Sequence, residues 1–292
     1  MKIAIYGRSF SKSFNEPIIR LFKVLNNYNV HITIFKPFFE FIINNIHFKP
    51  KVQSFFNDHK DICKEVDLIF SLGGDGTFLE TISFVRDYNI PIVGINTGRL
   101  GFLSYISRED IADALDAIFN KKYSLEHRVL IKLVSSVDLF EGFNYALNEV
   151  TIQKKDSTMI TIHAYLNNEY LNSYWADGLI ISTPTGSTAY SLSVGGPIVI
   201  PNSSNFIISP IAPHNLTVRP IVVPDSNEIV LKVNSRNSKY LASLDYRSEI
   251  LDTSVELTLK RADFTIKILK LENHSFYSTI RNKLMWGADK RN

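Results

Sequence analysis

The sequence predicts two domains, an N-terminal α/β domain with a parallel sheet and flanking helices, and a C-terminal all-β domain. In residues 1–125, strand-like apolar runs alternate with amphipathic helical patterns, which is typical of a parallel sheet covered by helices. In residues 126–270, short strand-like runs follow one another almost without helical patterns. A helical pattern returns in residues 271–292, which we expect to pack back onto the first domain. A length of 292 residues suits this division.

The first domain is predicted to contain four strands, at residues 3–6, 30–35, 66–70 and 90–95. Asn15 is predicted to cap a first helix, with Pro17 in its opening turn. Residues 38–46 are very apolar and predict either a short helix or a buried loop. A further helix is expected over residues 78–85, and residues 107–110 resemble a capping box that opens another.

The second domain is predicted from short strands, at residues 129–134, 144–152, 159–166, 221–223, 229–233, 255–259 and 264–269. Within residues 159–166, Ile160 and Ile162 alternate with Thr161 and His163, which predicts a half-buried strand. His163 is therefore interpreted as a surface strand residue and not as a ligand. Strands of this density favour a β-sandwich or a related all-β fold.

Composition limits the classes of protein to consider. No apolar run approaches the roughly 20 residues that a membrane-spanning helix needs. A net charge of +3, without a block of Lys and Arg, gives no reason to expect a nucleic-acid partner. Cys63 is the only cysteine, so neither an intramolecular disulfide nor a cysteine metal cluster is expected. We expect a cytoplasmic protein without a membrane partner.

Three glycines in four positions lie between the predicted strand 66–70 and the helix 78–85. This glycine loop (residues 73–77) contains Gly73, Gly74, Asp75 and Gly76. Its backbone N–H groups and the following helix N-terminus predict a phosphate site. Asp75 would repel phosphate unless it accepts a proton from an attacking hydroxyl or holds Mg²⁺. An ordinary Gly-Asp-Gly turn is the alternative at this point.

The ligand is expected at the carboxyl ends of the parallel strands, where the glycine loop and residues 96–102 both begin. The chain has no Walker lysine. The charge of a bound phosphate would therefore be met by backbone amides, Mg²⁺ and Arg99 or Arg247.

The second domain contains a hydroxyl-rich segment (residues 183–197) after a predicted strand at residues 177–182. Small residues permit close approach of a flat ligand, hydroxyls can bond to base and sugar atoms, and Tyr190 can stack on a base. Asn148 and Glu149, inside another strand run, suit the hydroxyls of a ribose. A polar surface loop is the alternative for residues 183–197.

These motifs together resemble bacterial NAD kinase over nearly the whole chain. The glycine loop alone resembles a wider superfamily with diacylglycerol kinases, sphingosine kinases and, more remotely, phosphofructokinases. The narrower resemblance rests on the order and spacing of residues 73–77, 96–102, 148–149, 177–197, 212–214 and 219–220.

The resemblance implies a two-domain NAD kinase fold and transfer of the ATP γ-phosphoryl group to the adenosine 2′-hydroxyl of NAD, giving NADP. It implies Mg²⁺ bound with ATP, and a homodimer or homotetramer. Asp75 would be the proton acceptor, and the cleft between the domains would hold the site. The implied binding residues are Gly73, Gly74, Asp75, Gly76, Asn148, Glu149, Asp177, Thr188, Ala189, Tyr190, Ser191, Leu192 and Ser193.

Two positions depart from the family pattern and bear on the choice between NAD and NADH. Trp175 stands where a basic residue is frequent, and Tyr246 with Arg247 follows Asp245 where Gly-Gln is frequent. Two other functions remain open from the sequence. A lipid or sphingoid kinase would need an apolar acceptor pocket, which the hydroxyl-rich segment disfavours. A sensor that binds NAD(P) without turnover would gain nothing from Asp75.

Overall fold

The computed structural model describes residues 1–62, 65–98, 100–272 and 274–287, so Cys63 and Arg99 lie outside the described residues. The chain divides into two compact units. Unit 1 comprises residues 1–127 and the chain from residue 266 onward, and unit 2 comprises residues 128–265. The sequence placed the boundaries after residues 125 and 270. A boundary inside the last strand is hard to predict, because Leu257–Leu271 is one continuous strand that begins in unit 2 and ends in unit 1.

Unit 1 is built on a parallel sheet, as predicted. Its strands lie in the order β3-β2-β1-β4-β5, and all four neighbouring pairs are parallel. Ile268 of the last strand continues the sheet in parallel beside Ile92 of β5. The bounds are β1 Lys2–Gly7, β2 His31–Phe35, β3 Ser54–Phe56, β4 Leu68–Leu72 and β5 Ile92–Ile95. β4 and β5 therefore both end at the edge where the glycine loop and residues 96–104 begin.

The described part of unit 1 contains five α-helices: α1 Asn15–Asn27, α2 Lys36–Ile46, α3 Asp75–Val85, α4 Ile111–Phe119 and the C-terminal α6 Phe276–Leu284. The apolar residues 38–46 are helical, because Phe38 and Ile42, four positions apart, are both buried and Pro37 lies in the first turn. Two predicted caps are wrong. Phe14, not Asn15, precedes α1, and the capping box does not form at α4, because the Asp110 carboxylate accepts the Ser107 hydroxyl instead.

Unit 2 is an all-β unit. One six-stranded antiparallel sheet has the order β13-β12-β11-β8-β15-β16, a second antiparallel group has the order β10-β9-β14-β17, and β6 pairs with β7. Buried apolar side chains from both groups form one core cluster. The bounds are β6 Tyr123–Val134, β7 Tyr145–Ala146, β8 Glu149–Lys154, β9 Ile160–Leu166, β10 Glu169–Ala176, β11 Gly178–Ser182, β12 Asn205–Ile211, β13 Ile221–Pro224, β14 Ile229–Asn234, β15 Lys239–Leu244, β16 Arg247–Asp252 and β17 Leu257–Leu271.

Four strands of unit 2 were not predicted: β10, β12, β15 and β16. β10 and β16 are the last strands of their sheets, and both mix exposed, half-buried and buried positions, so their sequences lack a clear apolar face. β12 contains Pro210, which argues against a central strand although β12 is paired on both sides. The one-turn helix α5, Tyr190–Ser193, lies inside the hydroxyl-rich segment.

Within the described residues, no helix is both long and apolar enough to cross a membrane.

Candidate functional site

The glycine loop leaves an open stretch of backbone at the start of α3. Gly74 precedes the helix with φ −86° and ψ −170°, and no side chain caps it. A Cβ atom at Gly74 or Gly76 would meet nothing within 4 Å, so the backbone is accessible at both positions. A Cβ atom at Gly73 would lie 2.2 Å from Thr77 Oγ1, so only glycine fits there. Accessible backbone at a helix N-terminus is suited to binding a phosphate.

Asp75 is held by three consecutive backbone N–H groups of the loop that follows β5. Oδ2 accepts from Phe102 at 2.9 Å, and Oδ1 accepts from Leu103 at 2.9 Å and from Ser104 at 3.1 Å. A Cβ atom at Gly101 would lie 2.0 Å from Oδ1, so glycine is required for this approach. The carboxylate therefore fixes the loop to the start of α3, a contact that the motif alone did not predict.

The loop that binds Asp75 is closed by its own polar contacts. The Asn96 side chain accepts from Gly98 N–H at 2.6 Å, and Gly101 N–H donates to the Ser104 carbonyl at 3.1 Å. Asn96 N–H donates to the Ile106 carbonyl at 2.8 Å. These bonds hold the three N–H groups in place for Asp75.

The C-terminal helix α6 brings a lysine to the same carboxylate. Lys283 Nζ lies 3.3 Å from Asp75 Oδ2 and 4.5 Å from the centroid of the Phe102 ring. The Phe276 ring of the same helix lies 6.4 Å from that of Phe102. Sequence reasoning missed Lys283, because 208 positions separate it from Asp75 and it belongs to no motif.

In unit 2, the Asp245 carboxylate binds the backbone around Asn148 and Glu149, just as the Asp75 carboxylate binds the loop after β5 in unit 1. Its carboxylate accepts from three consecutive N–H groups, those of Leu147 at 2.9 Å, Asn148 at 2.8 Å and Glu149 at 3.2 Å. Asp245 has φ +53° in the turn between β15 and β16, a conformation that Asp tolerates better than most residues. The buried Asp245 thus fixes the backbone of the predicted ribose-binding pair.

Glu149 is a buried acid next to this second carboxylate. Burial, followed by the charge of Asp245, raises the pKa of Glu149 to about 8, and the Tyr190 backbone N–H works in the opposite direction. Burial also raises the pKa of Asp245 above its ordinary value, and its three N–H donors and Arg247 work in the opposite direction. Glu149 Oε2, in contrast, has no hydrogen-bond partner. The three N–H donors favour the charged form of Asp245, and the proton near neutral pH is placed on Glu149.

This raised pKa predicts how stability depends on pH. The unfolded Glu149 loses its proton near its ordinary value of 4.5, whereas the folded one keeps it to about pH 8. Stability should therefore fall as pH rises between these values, by up to about 1.4 kcal/mol per pH unit. Glu149→Gln cannot titrate, so its unfolding free energy should rise relative to the wild type from pH 5 to pH 8 in urea denaturation. Glu169→Gln, at an exposed glutamate of the same unit, is the control. A difference that does not change with pH would contradict the prediction.

The hydroxyl-rich segment is bonded to the residues beside Glu149. Thr183 N–H donates to the Asn148 carbonyl at 2.9 Å, and Thr183 Oγ1 donates to the Leu147 carbonyl at 2.5 Å. A Cβ atom at Gly186 would lie 2.2 Å from the Asn148 carbonyl oxygen, so glycine is required there. The polar surface loop considered from the sequence does not describe this segment, because Thr183, Thr185 and Ser187 are buried.

The structure places Tyr190 and Asp177 along the same pair of strands as Glu149. Ser182 of β11 pairs with Glu149 of β8, and Gly178 pairs with Gln153. Gln153 Nε2 donates to the Tyr190 hydroxyl at 3.0 Å, and Lys154 Nζ lies 2.6 Å from Asp177 Oδ1. Asp177 is therefore at the far end of these strands from Glu149, roughly 15 Å away at the usual rise per residue. This separation suits an elongated ligand that contacts Glu149 at one end and Asp177 at the other.

The remaining predicted residues of unit 2 lie within the short helical turns of residues 185–193. Thr188, Ala189 and Leu192 are half-buried, and Ser193 is exposed. Ser191 differs from them, because its side chain is fully buried and its Oγ lies 3.2 Å from Ser209 Oγ. Ser191 is thus placed to fix the turn.

Arg247, which the sequence suggested as a phosphate contact, is hydrogen-bonded to the backbone of unit 2. Its guanidinium donates to the carbonyls of Phe143 and Tyr145 and lies 5.0 Å from the centroid of the Phe143 ring. These contacts argue against the predicted phosphate contact. Among the described residues, no group of three or more His, Cys, Asp or Glu side chains could hold a metal ion.

Comparison with known proteins gives the same two-part division of the chain. Residues 5–123 match the ATP-NAD kinase N-terminal domain, and residues 147–271 match the ATP-NAD kinase C-terminal domain. The chain is 48% identical over 295 residues to the NAD kinase of Flavobacterium psychrophilum, with 100% of both chains covered.

Two solved structures share the fold. Yeast NADH kinase complexed with NADH has a TM-score of 0.87 at 22% identity, covering 99% of this chain and 88% of that one. An NAD kinase from Archaeoglobus fulgidus in complex with ATP has a TM-score of 0.76 at 24% identity, covering 96% of this chain and 99% of that one. The fold class predicted from the sequence is confirmed.

Proposed function

Since the chain belongs to the NAD kinase family, we propose that it transfers the γ-phosphoryl group of ATP to the 2′-hydroxyl of the adenosine ribose of NAD, giving NADP. The observation that carries the proposal is 48% identity to an NAD kinase over the full length of both chains. The accessible backbone of the glycine loop, followed at once by a carboxylate, supports a phosphoryl transfer at this place.

On this proposal, the phosphates of ATP lie against the backbone of Gly74 and Gly76. Two observations support this placement. The loop leads into the N-terminus of α3, and the space beside Gly74 and Gly76 is open, since a Cβ atom added at either residue would meet nothing within 4 Å. The predicted contact of Gly73 is not proposed, because Gly73 is buried and its N–H group donates to the Ile95 carbonyl at 3.0 Å. Asp75 accepts the proton of the attacking hydroxyl. Its rigid attachment to three backbone N–H groups would fix the direction of that transfer.

Unit 2 is proposed to bind NAD. Glu149, as a neutral acid, can both donate to and accept from ribose hydroxyls, and Asn148 lies beside it. The exposed Tyr190 would contact the adenine, and Asp177 would lie on the nicotinamide side. The residues proposed to line the adenosine are Thr188, Ala189, Tyr190, Ser191, Leu192 and Ser193, of which the buried Ser191 would act by holding the turn.

Mg²⁺ is proposed as an ion that arrives with ATP. The described residues offer no cluster that could hold a metal ion, so the fit is to an ion bound mainly by the phosphates. Such an ion would offset the phosphate charge during transfer.

A homodimer or homotetramer is also proposed, together with the cytoplasm as location. Exposed apolar side chains on the outermost strand of the six-stranded sheet support self-association, since Ile221 is 38% and Val222 46% exposed. Light scattering of the purified protein tests the oligomer.

Incubation with NAD, ATP and Mg²⁺, with NADP read by a coupled dehydrogenase, tests the proposed function. We expect NADP from NAD and no product from nicotinamide mononucleotide, which lacks the adenosine half. A parallel assay with NADH measures the preference between NAD and NADH, which the presence of Trp175 leaves open. Binding of NAD without NADP formation would favour the sensor, and phosphorylation of a sphingoid base would favour the lipid kinase. Either result would overturn the proposal.

A further inference from the structure

We propose that Lys283 is the phosphate-binding cation of the glycine loop, and that it moves from the Asp75 carboxylate to the terminal phosphate of ATP. This inference rests on the proposed function. It assigns to the C-terminal helix α6 a direct part in binding the phosphoryl donor.

The first argument is the number of acceptor positions on Asp75. A carboxylate offers about four lone-pair positions. Three are used by the N–H groups of residues 102–104, and Lys283 Nζ approaches Oδ2 at 3.3 Å. A substrate hydroxyl that gives its proton to Asp75 needs one of these positions.

The lysine is the contact most easily released. The N–H groups belong to a loop that Asn96 and Gly101 hold closed. The Lys283 side chain is 33% exposed, ends a flexible four-carbon stem, and makes the longest of the four contacts. Its departure from Oδ2 would leave the loop in place and open one position for the hydroxyl.

The second argument is charge. Triphosphate that approaches the glycine loop meets the negative charge of Asp75, and the loop contains no cation of its own. Arg8, which follows β1, donates to Glu80 at 2.6 Å, and Arg247 donates to backbone carbonyls of unit 2. Among the residues that the structure describes, Lys283 is the cation that forms an ion pair with Asp75. It can offset the carboxylate charge before ATP binds and contact the phosphate afterwards.

The third argument is the position of the Phe102 ring. The ammonium lies 4.5 Å from its centroid, within the range of a cation–π contact. The N–H group of the same residue donates to Asp75 at 2.9 Å. The ring thus keeps the ammonium beside the glycine loop when it leaves Oδ2.

Calorimetric titration of the full chain with ATP and with ADP, in the absence of NAD, tests the inference. Lys283→Met should weaken ATP binding by about 10- to 100-fold, as expected for loss of a charge-assisted hydrogen bond. ADP binding should change much less, because ADP lacks the terminal phosphate. Lys283→Arg should recover part of the ATP affinity. Arg281→Met is the matched control, since Arg281 is an exposed cation two positions earlier on α6.

Thermal unfolding of each variant shows whether α6 is still folded. If Lys283→Met binds ATP as tightly as Arg281→Met does, or loses ATP and ADP affinity equally, the inference is wrong. A wild type that binds ATP but forms no NADP would instead refute the proposed function, so the two failures are distinguishable.

Discussion

Asp75→Asn is expected to lower the rate of NADP formation by about 10²- to 10⁴-fold, the usual contribution of a general base. Asparagine keeps one oxygen, which can still accept from Leu103 and Ser104. Its amide nitrogen would then face the Phe102 N–H group, so two donors would meet. A local rearrangement of the loop and a small loss of stability are therefore expected beside the loss of turnover.

The turnover number and the unfolding temperature must be measured together. Asp67→Asn is the matched control, because Asp67 is also a carboxylate of unit 1 that accepts a backbone N–H group, that of Lys2 at 2.7 Å. Asp67 lies before β4, outside the glycine loop. Near-normal NADP formation by a folded Asp75→Asn protein would show that Asp75 is not the proton acceptor.

The sequence predicted Asp75 but not what holds it. The glycine loop is a local pattern, so its place between β4 and α3 followed from neighbouring residues. Lys283 and the three N–H groups of residues 102–104 reach Asp75 only through the tertiary fold, and no spacing in the chain indicates them. The family followed from the resemblance, whereas the groups that contact Asp75 are seen only in the structure.

The same distinction applies to the fold. β1 and β4 are buried on both faces and are therefore continuous apolar runs that can be recognised in isolation. β10 and β16 form because neighbouring strands pair with them, and their own sequences show only a weak strand pattern. Asp245 was noticed only for the residues that follow it, because its three bonds join segments nearly 100 positions apart.

Asp245→Ala is expected to destabilise unit 2 severely. It leaves three consecutive N–H groups, those of residues 147–149, without their acceptor, at a cost of about 1–3 kcal/mol for each buried donor. The sum approaches the 5–15 kcal/mol that typically stabilises a whole domain. We expect insoluble protein or a strongly lowered unfolding temperature, whereas Asp252→Ala in the same hairpin removes an exposed acceptor of one N–H group and should have little effect.

Asp245→Asn removes the charge of this carboxylate but keeps two of its three hydrogen bonds. Its remaining oxygen can still accept from Asn148 and Glu149, whereas its amide nitrogen would face the Leu147 N–H group, so a local rearrangement of the turn is expected. The substitution also removes the negative charge that helps to raise the pKa of Glu149. The pKa of Glu149 then moves back towards 4.5, and the pH range over which stability falls becomes narrower. Urea denaturation at pH 5, 6.5 and 8 measures this. If Asp245→Asn shows the same pH dependence as the wild type, the charge that raises the pKa of Glu149 does not come from Asp245. If Asp245→Ala unfolds at the wild-type temperature, the three N–H groups have found another acceptor, and Asp245 does not fix the backbone of Asn148 and Glu149.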